Sequence, residues 1–404
     1  MFKDVDTTMK EPKHILIIPS WYPQFSGDIG GSFFREQAIA LKKVGYSVGV
    51  IYPQVRSLKD IKNILKKPYG LTRENDEGVS TLRWYTANYF PKVKSYNKNH
   101  WIRIALKLFE TYVELYGKPD IIHVHSMWYA GFAAQLIYEK YGIPYVITEH
   151  SSAFARNLIP RDIIDSLRSV VEQAKACIAV SQKFSNYLET QFPSSNWLYI
   201  PNIVNDDFFT SPKVVGSTSL SSKIRIISIC HLNKNKNTEL LIRAFALVLE
   251  QVVGLKLELV IGGDGEERET LQNLVNTLEL NNYVQFLGSL TRSQVKQEIN
   301  QSSMFVVSSK YETFGVVVVE ALALGKPVVS TQCGGPESII NKDVGVLVEN
   351  DSVSELAKGI LHVSTHLNDY DADTLRKYCL ENFSEKAVTN KLTNIYHEYG
   401  NLNE

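Results

Sequence analysis

Apolar residues along this chain come in short runs separated by longer amphipathic stretches. In the first half the runs are His14–Pro19, Tyr46–Tyr52, Asp120–His125, Pro144–His150, Lys175–Val180 and Trp197–Ile200. Runs this short, bounded by turn formers, predict buried parallel strands. Phe33–Val44 and Trp128–Tyr141 carry apolar residues at helical spacing and predict helices. After the polar, Ser-containing stretch Ser211–Ser222 the alternation begins again. Strands are expected at Ile224–Cys230, Leu255–Ile261, Val284–Gly288, Ser303–Ser308 and Val344–Val348. Helices are expected at Thr238–Leu249, from near Glu266, from Ser352, at Thr374–Glu381 and at Ser384–Tyr399. Strand–helix alternation in two blocks predicts an α/β chain with two Rossmann-like, doubly wound parallel-sheet domains. The composition shift places the boundary at residues 211–222, giving a first domain over 1–210, a second over 223–383 and a terminal segment over 384–404.

The most informative stretch is Ser308–Glu337, SSKYETFGVVVVEALALGKPVVSTQCGGPE. β-Branched residues favour strands, yet Gly315–Leu324 reads as a helix. Gly325 suits the position just past a helix end, and Pro327 suits a stop followed by a new strand. The N-terminus of such a helix offers unpaired N–H groups and a positive dipole end after Gly315, a natural seat for a diphosphate. Glu312 precedes that helix and Glu320 lies more than a turn inside it, so both acids could meet one ligand.

Glu312, seven residues and Glu320, with Phe314-Gly315 between them, resembles the signature of the retaining glycosyltransferases of family four, which have the GT-B fold. The resemblance runs from about His14 to about Tyr399. It implies two domains facing a cleft, the sugar donor held mainly by the second, the acceptor by the first, and a last helix crossing back to the first. It also implies roles. Glu312 would hold donor-sugar hydroxyls, and Glu320 the ribose hydroxyls. Thr313, Phe314, Gly315 and Val316 would bind the donor, with the N–H groups after Phe314-Gly315 facing the diphosphate. Lys236 would face the leaving phosphate, five residues after a position where the family carries Arg and this chain carries His231. Histidine is only partly cationic near pH 7 and lacks the guanidinium fork, so His231 could instead serve as a hydrogen-bond donor with Lys234 supplying charge. Gly263, in Gly262-Gly263-Asp264-Gly265, would lie beneath the nucleotide, with a plain turn as the alternative. Leu290 falls where the family's backbone meets the base. In the first domain Gly31, after Gly30, ends a loop that would close over the diphosphate, or is simply a glycine turn. His150, within TEHS, would sit at the sugar site.

Composition narrows the partners. Lys+Arg and Asp+Glu both number 43, so no global charge points to nucleic acid. The four cysteines, Cys177, Cys230, Cys333 and Cys379, are scattered, and read as small buried hydrophobes of a reducing compartment. No apolar run approaches the ~20 residues that span a bilayer, and the first ten residues lack a signal-peptide core. The expected location is the cytoplasm, with the inner face of the membrane as a further option. Ser57–Lys67 and Phe90–Arg103 are basic stretches, the second rich in aromatics; each is either an ordinary surface helix or a contact with anionic lipid. His123-x-His125 lacks further ligands for a metal and reads as a core histidine beside an edge one. Asp369, Asp371 and Asp373 look like D-x-D but precede a helix and read as a cap. No metal and no cofactor are expected, since the nucleotide-sugar is a substrate.

The expected activity is transfer of a sugar from a nucleotide-diphosphate donor, a UDP-sugar first, to a glycan or lipid-linked acceptor of surface polysaccharide biosynthesis. Glu312, His150 and Lys236 are the expected catalytic set. The resemblance implies front-face attack, with neither Glu a covalent nucleophile. A nucleotide-sugar epimerase of the same fold, or a non-catalytic sugar-nucleotide-binding subunit of a membrane assembly, are the alternatives.

Overall fold

A computed structural model describes residues 14–23, 31–57, 68–90, 93–210, 223–252 and 254–400. Gly30, the body of the basic stretch at 58–67, Pro91-Lys92 and the linker at 211–222 lie outside the described residues. The chain divides into two compact units. One holds the residues up to Ala179, Ser185–Ile200 and the end of the chain from Val388; the other holds Val180–Phe184 and Pro201–Ala387. Residues 201–210 therefore pack with the second unit, not with the first as their place before the linker suggested. Val204 N bonds to Phe383 O at 2.9 Å there.

The first unit is built on an eight-stranded sheet: β1 His14–Pro19, β2 Ser47–Ser57, β3 Gly70–Asp76, β4 Val79–Asn88, β5 Ile121–His125, β6 Tyr145–Glu149, β7 Ala176–Ala179 and β8 Trp197–Tyr199. Its order is β3-β4-β2-β1-β5-β6-β7-β8. Every residue of β5 and β6 is buried, as expected where helices cover both faces of a sheet. The helix Arg161–Gln173 shows why: Ile164, Leu167, Val170 and Val171 are buried on one face, the stripe a 3.6-residue period produces. One pairing departs from the parallel expectation. β3 and β4 form an antiparallel hairpin at the edge, unforeseen from the sequence. Its turn has Glu77 at φ 52° and Gly78 at φ 90°, the left-handed pair that matches hairpin twist, and Gly78 N donates to Asn75 Oδ1 at 2.8 Å.

The second unit carries a six-stranded, wholly parallel sheet: β9 Ile224–Ile229, β10 Leu257–Gly262, β11 Val284–Gly288, β12 Met304–Val307, β13 Val328–Thr331 and β14 Gly345–Val348. The order is β11-β10-β9-β12-β13-β14. The chain winds outward one way from β9, then returns and winds the other way from β12. That reversal leaves a crevice at the carboxyl ends of β9 and β12, where open α/β sheets bind ligands. The first sheet repeats this logic, with the reversal between β1 and β5. In the second unit Leu241, Phe245, Leu356 and Ile360 pack against Ile226 and Val306 and anchor helices to the sheet.

Candidate active site

The loops after β9 and β12 are stitched together at the reversal of the second sheet. Ser308 Oγ donates to Lys236 O at 2.9 Å, Lys310 N to Asn235 O at 2.8 Å, and Asn235 Nδ2 to Tyr311 O at 3.0 Å. The loop after β13 joins them: Glu312 N donates to Cys333 O and Gly335 N to Glu312 O, both at 2.8 Å. Glycine is required at this junction, since a Cβ on Gly334 would lie 2.5 Å from Glu312 O and one on Gly335 2.2 Å from Phe314 O.

This scaffold brings Lys236 to Glu312, with Nζ 2.6 Å from Oε1. Ser309 Oγ donates to the same oxygen at 2.6 Å. Side-chain exposure is 25% for Lys236 and 15% for Glu312, so the pair is partly desolvated yet reachable. Burial pulls the Lys236 ammonium down, but the charge of Glu312 and its hydrogen bond outweigh that pull and leave its pKa raised. Lys236 is a fixed cation at neutral pH.

Immediately beyond, Gly315 takes φ 96° and ψ 64° and opens the helix Val316–Ala323, which ends at Leu324 before Gly325 at φ 71°. Four consecutive valines form its first turn, and tertiary packing overrides their strand preference. Phe314 is buried against Phe383, ring centroids 6.0 Å apart. Glu320 is fully buried. One of its oxygens, Oε1, meets Arg292 Nη1, and Arg292 in turn lies over the Phe208 ring at 4.9 Å. Glu320 Oε2 has no hydrogen-bond partner among the described residues. Burial pushes the Glu320 carboxyl upward, and Arg292 opposes the push. Glu320 is thus more enclosed than a ribose-binding acid read from spacing would be.

Around this centre, Gly263 takes φ 114°, and a Cβ there would lie 1.8 Å from Cys230 O. The glycine is demanded by the neighbouring loop, whatever ligand approaches. Leu290 packs over Gly262, its Cδ1 2.8 Å from where a Cβ would be. His231 is exposed, with Nε2 3.4 Å from Glu266 Oε2. Asp371 accepts from Thr374 N at 2.8 Å as the cap of the helix Ala372–Phe383, which accounts for the D-x-D pattern.

The first unit gathers buried imidazole and aromatic rings at its own sheet edge. His125 Nδ1 and His150 Nε2 are 3.0 Å apart, and Phe34 packs on both, with centroids at 5.0 and 4.7 Å. Buried Glu149 accepts three backbone N–H groups, from Met127 at 2.8 Å, His150 at 2.9 Å and Ser151 at 2.8 Å. Gly31, at φ 78°, opens the helix Ser32–Lys43. His123 is a satisfied core residue: Nδ1 meets Tyr396 Oη at 2.6 Å and Nε2 meets Thr148 Oγ1 at 2.8 Å. Tyr396 comes from the terminal helix Glu385–Tyr399.

Comparison with known proteins places these features in a family. The family model described as Glycosyltransferase Family 4 matches residues 30–208, and that described as Glycosyl transferases group 1 matches residues 216–377. The chain belongs to glycosyltransferase family 4. This glycosyltransferase is 27% identical over 290 residues to the N-acetyl-alpha-D-glucosaminyl L-malate synthase of Bacillus anthracis, covering 69% of this chain and 74% of that protein. It is 28% identical over 364 residues to the putative teichuronic acid biosynthesis glycosyltransferase TuaC of Bacillus subtilis, covering 86% and 88%. Among solved structures it superposes on the sucrose-phosphate synthase of Thermosynechococcus elongatus with a TM-score of 0.76 at 18% identity, over 95% of this chain and 98% of that one. The corresponding figures for Anabaena HepE in complex with UDP and glucose are 0.68, 19%, 94% and 98%. The fold is GT-B.

In the second unit of this glycosyltransferase the structure brings Lys236, Glu312, Thr313, Phe314, Gly315 and Val316 to one sheet edge. His150 and Gly31 lie in the first unit. Reading the sequence missed Ser309 and Arg292, and placed His125 at the sheet edge without its bond to His150. Arg292 had one usable signal, its place just after Thr291 in a capping box with Gln294, which fixes where a helix starts.

Proposed function

We propose that this glycosyltransferase moves a sugar from a UDP-sugar to a glycan or lipid-linked acceptor, with retention at the anomeric carbon. The observation that carries the reading is the Lys236–Glu312 pair at the sheet reversal, beside the N-terminus of the helix Val316–Ala323. A leaving diphosphate gathers negative charge as the glycosidic bond breaks, and preorganised cations and N–H groups stabilise it most. Lys236 and the N–H groups after Gly315 are such groups. With Lys236 and Ser309 on Oε1 of Glu312, Oε2 is assigned to hydroxyls of the donor sugar. Glu320 accepts from the ribose hydroxyls, which a carboxylate suits. In the proposed step the acceptor hydroxyl attacks from the face the diphosphate leaves. The C–O bond to phosphate breaks, the new glycosidic bond forms, and a departing phosphate oxygen takes the acceptor proton.

The UDP preference draws support from HepE, crystallised with UDP and glucose. A role in surface polysaccharide or glycolipid synthesis draws support from the teichuronic acid relative. A peripheral contact with anionic lipid belongs to the same reading: Tyr89, Phe90 and Val93 are exposed beside the helix Lys94–Tyr116. No described helix is long and apolar enough to cross a membrane. The test is thermal shift with UDP-, GDP- and ADP-sugars, UDP-N-acetylglucosamine first, then turnover with acceptor and NMR assignment of the product anomer. An inverted product overturns retention. A new sugar nucleotide formed from donor alone, with no acceptor needed, moves the reading to an epimerase. Sugar-nucleotide binding with no chemistry at all moves it to a binding subunit.

A further inference from the structure

The reversal of the first sheet carries a strained turn that has no part in the proposed transfer step. Just past β5, Tyr129 takes φ 57° and ψ −55°, and Ala130 N donates to Trp128 O at 2.6 Å across it. This is the γ-turn of positive φ, rare and strained for any residue with a bulky side chain. Ser126, three residues earlier, is left-handed too, at φ 62°. Glycine would take either position freely. The turn is held from two sides. Ser20 Oγ, just past β1, donates to Ser126 O at 2.6 Å, and Met127 N donates to buried Glu149 at 2.8 Å. Tyr129 lies beside buried Trp101, ring centroids 6.0 Å apart, and Trp128 meets Tyr129 edge-on at 5.9 Å. Both rings of the turn are only half-buried, as are Trp21 and Phe33 on the same edge. The turn is no anion seat, because the first two N–H groups of the helix Ala130–Tyr141 are already bonded, Ala130 to Trp128 O and Gly131 to Met127 O at 2.9 Å. It offers instead aromatic faces with polar tips, at the carboxyl end of β5 where such sheets bind ligands. Backbone strain persists where the structure around it over-determines it, and it clusters at ligand sites.

We propose that the Trp128–Tyr129 turn is a sugar-binding platform, whose two rings pack on the C–H face of an acceptor pyranose while their polar tips meet its hydroxyls. A pyranose has an apolar face and a hydroxyl rim, the complement of an amphipathic aromatic side chain. The acceptor half rests on the transferase reading above; the sugar-binding half does not. Tyr129→Phe keeps the ring. Tyr129→Gly and Tyr129→Ala both remove it, and only glycine relieves the turn.

The experiment is fluorine NMR on the full-length protein labelled with 5-fluorotryptophan, with Trp128 assigned by the signal lost in Trp128→Phe. The probes are the methyl glycosides of glucose, galactose and N-acetylglucosamine at millimolar concentration, and inorganic phosphate. The expected result is that a glycoside moves the Trp128 signal and leaves that of buried Trp197 in place. Tyr129→Phe should keep the response, and Tyr129→Gly should weaken the apparent Kd about tenfold, the scale of one aromatic contact. A wild-type Trp128 signal that no glycoside moves overturns the proposal, as does one moved by phosphate alone; both outcomes are read without any variant of Tyr129. The strain is tested by urea midpoints. Tyr129→Gly should unfold later than Tyr129→Ala, the reverse of the order at an ordinary position, and the ordinary order overturns the strained turn. Turnover of UDP-N-acetylglucosamine on the glycosides separates the two halves. Turnover with an unmoved Trp128 overturns the platform alone. A moved Trp128 with no transfer to any glycoside leaves the sugar site standing and overturns its acceptor role.

Discussion

The two sheets reverse direction in the same way, yet their edges carry opposite chemistry. At the second, Lys236 meets Glu312 on loops bonded to one another, and Arg292 meets Glu320 from helix to helix. At the first, His123, His125 and His150 form a buried row, and burial holds the first two neutral. On the function proposed above, one topology serves two tasks. A crevice that must stabilise a growing diphosphate charge needs fixed cations and oriented N–H groups. On the same reading the first crevice meets hydroxyl-rich sugar, which uncharged hydrogen-bonding side chains and aromatic walls suit.

The largest expected break in this comparison is at the charged edge. Glu312→Ala should cost about 10³-fold in turnover, and Lys236→Ala about 10²–10³-fold, the scale of removing a preorganised electrostatic group. Steady-state kinetics with saturating UDP-sugar check both, and a loss below tenfold would remove the pair from the chemistry. Next comes the packing behind it. Gly263→Ala forces a Cβ into the Cys230 carbonyl at a left-handed φ, so stability should fall by about 3 kcal/mol in a urea titration.

Arg292→Ala should cost about 2 kcal/mol, because it leaves a buried carboxyl without its cation; the figure is set below that of a fully buried pair, since Arg292 is partly exposed. The variant should also weaken UDP binding by calorimetry if Glu320 holds the ribose as an anion.

The neutral edge is tested by acid. Burial takes His123 from about 6.5 down to about 3. Its stabilising contribution is present above pH 6.5 and is lost as pH falls toward 3, because the unfolded chain takes up a proton that the folded one refuses. Between pH 7.5 and pH 5 this amounts to about 2 kcal/mol. Urea titrations at the two pH values should show that loss in the wild type and a correspondingly smaller one in His123→Asn.

Much of this was legible in the sequence, for identifiable reasons. The helix Val316–Ala323 is bracketed by Gly315 and Gly325, two residues whose backbone freedom marks ends whatever lies between. The buried strands β5 and β6 announce themselves as unbroken apolar runs. The β3–β4 hairpin was illegible because its strand Gly70–Asp76 is polar and edge-exposed, leaving only Glu77-Gly78 as a cue. The Lys236–Glu312 contact spans 76 residues and depends on loop–loop hydrogen bonds that no local pattern encodes. His125 and His150 were both foreseeable at a sheet edge, but not their mutual bond, since ring orientation is decided by Phe34 and the adjoining strand. Residues 201–210 were assigned by composition, whereas their backbone bond to Phe383 decides where they pack.

The four valines that open the helix Val316–Ala323 have a thermodynamic consequence of their own. Cut free as a peptide, residues 308–330 should give a circular dichroism spectrum without helix, since so short a β-branched segment cannot nucleate one in water. The proposed anion seat therefore has no existence before the sheet beneath it closes. Any melting-point rise produced by a sugar nucleotide then reports the assembled unit, and a nascent chain leaving the ribosome cannot capture that ligand until its last parallel strands are in place.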